Sequence, residues 1–134
     1  MNTKSIEKVL LVEDNPGDAR LIREIFSEQI LSSNELTHVE CMKDAETHLS
    51  THAVDLVLLD LGLPDEEGLG AIRRIRAAAP KAAVVVMTGL DNDSVAAQAL
   101  EVGAQKYFVK SQIETRGLSR PLHYDTFLKR IMKW

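Results

Sequence analysis

A chain of 134 residues with 45% hydrophobic and 27% charged residues has the makeup of one globular domain and too much apolar content for a disordered segment. Its formal net charge of -4 gives no overall attraction to nucleic acid or to an anionic membrane, and a single cysteine, Cys41, excludes an internal disulfide. No apolar run approaches the ~20 residues that span a bilayer and no secretory leader is evident, so one cytoplasmic domain over residues 1–134 is expected.

The first strand is predicted over Lys8 to Glu13, a continuous apolar run of the kind produced when helices cover both faces of a strand. Asn15 and Pro16 read as an N-cap with proline at the first helical position, and Ala19, Ile22, Ile25 and Phe26 recur at helical spacing to about Gln29. A polar stretch, Leu31 to Glu35, precedes a weaker strand, Thr37 to Met42, whose alternation suits a sheet edge. A short helix is expected over Asp44 to Ser50, then a third strand over Asp55 to Asp60. Leu63, Pro64 and Gly68 break the chain before a helix from Leu69 to Ala78, which Pro80 ends. Ala82 to Thr88 is the fourth strand, Asp91 to Val102 a helix stopped by Gly103, and Lys106 to Lys110 the fifth strand. Ser119, Arg120 and Pro121 open a last helix carrying Leu122, Leu128 and Ile131. Five strands alternating with five helices predict a flavodoxin-like, doubly wound α/β fold, a (βα)5 unit whose five parallel strands lie in the order 2-1-3-4-5.

In such a sheet the carboxyl ends of the strands meet in one crevice. Four apolar runs here end on residues with metal or phosphate chemistry: Glu13 and Asp14, Asp60, Thr88, and Lys110. Carboxylates this close either bind a cation or hold a proton. Magnesium, with manganese as a substitute, suits an oxygen-only set that leaves positions for water and phosphate. Asp14 and Asp60 would be direct ligands, Glu13 a ligand through water, and the backbone carbonyl of Gly62 a further one. Asp60 could then attack phosphorus in line and become an aspartyl phosphate, with Lys110 and the Thr88 hydroxyl on the phosphoryl oxygens.

The other candidates read as structural. His48 and His52 are one helical turn apart but lack the glutamate of a metalloprotease helix, and His38 and His123 show no partner in sequence. Arg73, Arg74 and Arg76 form the wet side of a helix, and Cys41 is a small strand hydrophobe. Lys129, Arg130 and Lys133 make the C-terminal end basic, and without a DNA-binding helix-turn-helix signature a protein partner is expected there, with no nucleic acid and no membrane.

Glu13-Asp14, Asp60 followed by Pro64 and Gly68, Thr88-Gly89, and Tyr107 three residues before Lys110 together resemble the receiver domain of two-component response regulators, over about residues 6–134. That resemblance implies that Asp60 accepts a phosphoryl group from a sensor histidine kinase or a histidine phosphotransfer protein. It also implies that Thr88 and Tyr107 move together as a switch. The face made by Asp93 to Val102, Lys106 to Lys110 and the last helix would then control a downstream protein or a second copy of the chain. A module of this kind catalyses its own phosphorylation and turns over no separate substrate, so it is not an enzyme in the usual sense. Two departures stand out. Ser111 replaces the proline usual after the lysine, and a long polar connection, Gln112 to Gly117, follows. Gly62 and Leu90, at positions that influence water attack in that family, have no side chain able to hold a water, so a slowly lost phosphoryl group is expected.

Four alternative readings compete. A haloacid dehalogenase-type phosphatase needs a second aspartate where Gly62 stands, and a flavodoxin-like cofactor carrier needs a phosphate loop where Asp14 to Asp18 would repel phosphate. A receiver-like module that binds without phosphorylation, and an N-terminal receiver cut from a longer regulator, stay open.

Overall fold

The computed structural model describes residues 7–29 and 35–110. In chain order these form β1 (Lys8–Val12), α1 (Pro16–Gln29), β2 (Glu35–Val39), α2 (Met42–Thr51), β3 (Leu56–Leu59), the two-residue strands β4 (Gly62–Leu63) and β5 (Glu66–Glu67), α3 (Gly70–Ala78), β6 (Ala83–Thr88), α4 (Asp93–Glu101) and β7 (Lys106–Val109). Five of the strands make one parallel sheet in the order β2-β1-β3-β6-β7, which is the predicted topology with β2 at an edge. The last helix expected after Pro121 and the connection from Ser111 to Gly117 lie outside the described residues. No helix among the described residues is long and apolar enough to cross a membrane.

The continuous apolar runs have the predicted cause. Leu10, Val12, Val57, Leu59, Val84 and Val86 point to one side of the sheet, where they pack with Met42, Ala45 and Leu49 of α2, Ile72 and Ile75 of α3, and Ala99 of α4. Val9, Leu11, Leu56, Leu58, Val85 and Met87 point to the other side, against Ala19 and Ile22 of α1. Each fully buried Leu or Ile contributes about 1.5 to 3 kcal/mol relative to exposure. The sheet is thereby a rigid base for whatever its strand ends carry.

Turn chemistry sets most helix ends. Asn15 caps α1, its side-chain oxygen accepting from the Asp18 N–H at 3.0 Å and its carbonyl from the Ala19 N–H at 3.0 Å. Asn92 caps α4 by accepting from the Val95 N–H at 3.0 Å, which starts that helix at Asp93 rather than at Asp91. Gly103, at φ 122°, supplies the left-handed turn that stops it.

The second strand is corrected. It runs from Glu35 to Val39, because Lys8 pairs with Glu35 and Val12 with Val39, and not from Thr37 to Met42. Met42 instead opens α2 and is fully buried beside Ala45 and Leu49. The reason is distant in sequence: no side chain at Cys41 caps α2, and the Asp65 carboxylate accepts from the N–H groups of Met42 and Lys43 at 2.8 and 3.0 Å.

Candidate functional site

Backbone register brings the strand ends together. The Glu13 N–H donates to the Val39 carbonyl and the Asp60 N–H to the Val12 carbonyl, each at 3.0 Å, so residues 13 and 60 sit side by side just past β1 and β3. Thr88 closes β6 and pairs with Val109, the residue before Lys110. Glu13 is wholly buried, Asp60 is 6% exposed and Thr88 5%, while Asp14 faces solvent. One carboxylate oxygen from each of Glu13, Asp14 and Asp60 lies within 4.8 Å of the other two.

The Lys110 ammonium is shared among acids. It lies 2.7 Å from Glu13 Oε1, 2.9 Å from Asp18 Oδ2 and 3.4 Å from Asp60 Oδ2. Burial opposes its charge, yet the contacts with Glu13 and Asp18 and the charge of Asp60 hold it above the usual lysine range. Burial pushes the Glu13 carboxyl up to about 7; Lys110 works against that rise and the charge of Asp60 adds to it. Glu13 Oε2 accepts from the Asn15 N–H at 3.2 Å, whereas Oε1, although near the ammonium, is not met along a hydrogen-bond direction. Asp60 Oδ1 accepts from the Gly62 N–H at 3.3 Å.

This donor set fits a divalent cation. Three carboxylates converge, all donors are hard oxygens, and exposed Asp14 leaves the site open to water. The acidic pocket is therefore a divalent-metal site in its chemistry.

Thr88 and Tyr107 meet at one residue. The Thr88 hydroxyl accepts from the Leu90 N–H at 3.3 Å, and the Tyr107 hydroxyl donates to the Leu90 carbonyl at 2.6 Å. A change at Thr88 is thus one peptide away from the Tyr107 hydroxyl. Leu90 itself is 48% exposed.

Three groups escaped the sequence reading. Asp18 reaches Lys110 from the first turn of α1, a contact across 92 residues that carried no local signal. His38, expected to be without a partner, has Nε2 2.8 Å from the Glu13 carbonyl oxygen, which places the ring proton on that nitrogen. Asp65, which caps α2 from the loop after Asp60, carried no local signal. His48 and His52 stack at 4.3 Å near the first residues of β1 and β2, at the far end of the sheet, and stay structural.

Comparison with known proteins agrees with this geometry. A family model described as the response regulator receiver domain matches residues 9–120. The chain is 35% identical over 125 residues to the transcriptional regulatory protein PhoP of Escherichia coli strain K12, covering 92% of this chain and 50% of that protein. It thus spans about half the length of the curated relatives it matches. The phosphorylated cyanobacterial phytochrome response regulator RcpA superposes with a TM-score of 0.69 and 25% identity, over 79% of this chain and 81% of that one. The Mn2+-bound form of response regulator Rcp1 gives 0.69 and 26%, over 78% and 81%.

Proposed function

The chain belongs to the response regulator receiver family, and we propose that it is a phosphoacceptor switch in which Asp60 takes a phosphoryl group from a histidine kinase or a histidine phosphotransfer protein. The observation that carries this reading is the state of Asp60: a nearly buried carboxylate with Oδ1 held by the Gly62 N–H and Oδ2 3.4 Å from the Lys110 ammonium.

An Asp60 oxygen attacks the phosphorus of a phosphohistidine, the P–O bond forms as the P–N bond breaks, and the imidazole leaves with the bonding pair and takes up a proton. Little covalent chemistry is asked of the protein, so positioning and charge supply the catalysis. Lys110 receives charge on the phosphoryl oxygens, and the Thr88 hydroxyl donates to one of them. Glu13, Asp14 and Asp60, with the Gly62 carbonyl, would hold Mg2+, for which Mn2+ can stand in; the cation supplies charge neutralisation. When Thr88 turns toward the phosphoryl group it gives up the Leu90 N–H, and the peptide that Tyr107 grips is freed to move. The readout face is then α4 with β7, controlling a protein partner or a second copy of the chain. A second arrangement is favoured by the coverage of the curated relatives: the same domain attached to an output domain that it controls.

The test is incubation with a small acyl phosphate and Mg2+ followed by intact mass. One phosphoryl group is expected on the native protein and none on Asp60→Ala; an unmodified native protein, or undiminished labelling of the variant, overturns the reading. After removal of the donor the label is expected to decay far more slowly than seconds, since Gly62 has no side chain and that of Leu90 has no polar atom to position a water. A half-life of seconds would count against that.

A further inference from the structure

The loop that follows Asp60 is fastened at both ends of a small hairpin. Gly62 pairs with Glu67 and Leu63 with Glu66 in an antiparallel ladder, the Gly68 N–H closes back on the Leu61 carbonyl at 2.9 Å, and Leu61 and Leu63 are buried. At the tip, Asp65 spends both carboxylate oxygens on the first two N–H groups of α2. On its return, Glu66 Oε1 accepts from Arg74 Nη1 at 3.0 Å, and the same guanidinium makes a two-pronged pair with Glu46 at 2.6 and 2.8 Å. A Cβ at Gly70 would strike the Glu66 carboxylate, so the bare glycine backbone is what lets Glu66 lie there.

These contacts connect α2, α3 and the hairpin to one residue of the site. Gly62 is both the first residue of the hairpin and the donor to Asp60 Oδ1. Its own position has nothing to fix it sideways, since no atom lies within 4 Å of where a Cβ would be. What holds it is the hairpin, which is anchored in the core by Leu61 and Leu63 and tied to α2 and α3 at its tip by Asp65 and the Glu46–Arg74–Glu66 bridge. Single exposed ion pairs are weak, but a two-pronged guanidinium joined to a doubly bonded carboxylate is a network with fixed geometry.

We propose that Asp65, supported by the Glu46–Arg74–Glu66 bridge, is a positioning residue for the phosphoacceptor: it fixes the β4–β5 hairpin so that Gly62 keeps the Asp60 carboxylate aimed for attack and for metal binding. This rests on the phosphoacceptor reading above. It makes α2 a mechanical support of the site although no residue of α2 reaches it. Contacts made directly to a metal ligand, such as the Gly62 N–H on Asp60, typically change metal affinity or activity by about 10- to 100-fold when lost, and Asp65 acts one step behind that contact, so the lower end of that range applies.

The test measures Mg2+ affinity by calorimetry, labelling rate at saturating Mg2+ by intact mass, and the urea midpoint, for the wild type and three variants. Asp65→Ala is expected to weaken Mg2+ binding and slow labelling by about tenfold each. Asp65→Asn keeps one of the two acceptors and turns an NH2 donor toward the other N–H, so it is expected to recover part of both. Asp55→Ala is the control, because Asp55 also holds two successive backbone N–H groups, those of Glu7 and Lys8 at 3.0 Å, through its Oδ2 at the other end of the sheet. It is expected to lower the urea midpoint while leaving Mg2+ affinity and labelling unchanged. Wild-type values in Asp65→Ala, or parallel losses of Mg2+ affinity and labelling in Asp55→Ala, would overturn the proposal. A wild type that neither binds Mg2+ nor takes label would overturn the phosphoacceptor reading itself, and the positioning role with it.

Discussion

Lys110→Met is expected to slow labelling of Asp60 by about 10²-fold, the scale on which a preorganised donor to a developing anion matters. The ammonium is where the charge of an incoming phosphoryl group would be received, and the methionine stem keeps most of the packing while removing that charge. The same substitution strips Glu13 and Asp60 of the cation they share with Asp18. Glu13 is the residue that suffers, since it is wholly buried. Leaving a buried charge uncompensated costs about 3 to 5 kcal/mol, which the carboxyl can relieve by taking up a proton. Since the Glu13 carboxyl sits at about 7 even with Lys110 beside it, the metal-free variant should match the wild type at this group in mildly acidic buffer and unfold at lower urea above pH 7, where the wild-type carboxylate is ionised against the ammonium. Labelling by a small acyl phosphate and a urea series at two pH values check both halves. A near-native labelling rate would remove Lys110 from the phosphoryl site.

Where the fold was legible, local chain chemistry decided it. Runs such as Val9 to Val12 and Val84 to Met87 could be read because burial on both faces leaves no alternation to misread. Asn15-Pro16 and Gly103 gave helix ends because a cap or a positive φ is a property of one or two residues. The strand ends that carry Glu13, Asp14, Asp60 and Lys110 followed from those runs, and the structure brings all four together. The misreadings come from contacts that span the chain. Met42 continued the alternation of β2 and looked like its last residue; it is the first of α2 only because Asp65, 23 residues later, supplies the cap. The β4–β5 hairpin is two residues a side, too short for any period to appear. His38 and Asp18 became parts of the site through the β1–β2 register and the direction of the first helical turn, which appear only once the sheet is assembled.

Glu13 makes the metal-free protein sensitive to pH in a direction that can be worked out. Burial raises its carboxyl from 4.5 to about 7 in the folded chain, against the effect of Lys110, and the Asp60 charge adds to the rise. Between those two values the folded state binds more protons than the unfolded state at this position. The contribution is fully present below about pH 4.5 and is lost as pH rises through about 7, a loss on the order of 3 kcal/mol for this group alone. Other carboxylates titrate in acid, so the clean quantity is the difference between wild type and Glu13→Gln, whose neutral amide has nothing to lose. In EDTA, the variant should gain on the wild type between about pH 5 and pH 8. With saturating Mg2+ the ionised carboxylate is the form that binds, so the wild-type slope should flatten and cation binding near pH 6 should release protons to the buffer. The stabilisation given by Mg2+ is then larger at pH 8 than at pH 6 in the wild type and nearly constant with pH in Glu13→Gln. Urea unfolding with and without Mg2+ at the two pH values measures this directly. A difference between the two proteins that stays flat with pH in EDTA would mean that Glu13 is already ionised in the folded chain, with Lys110 outweighing burial.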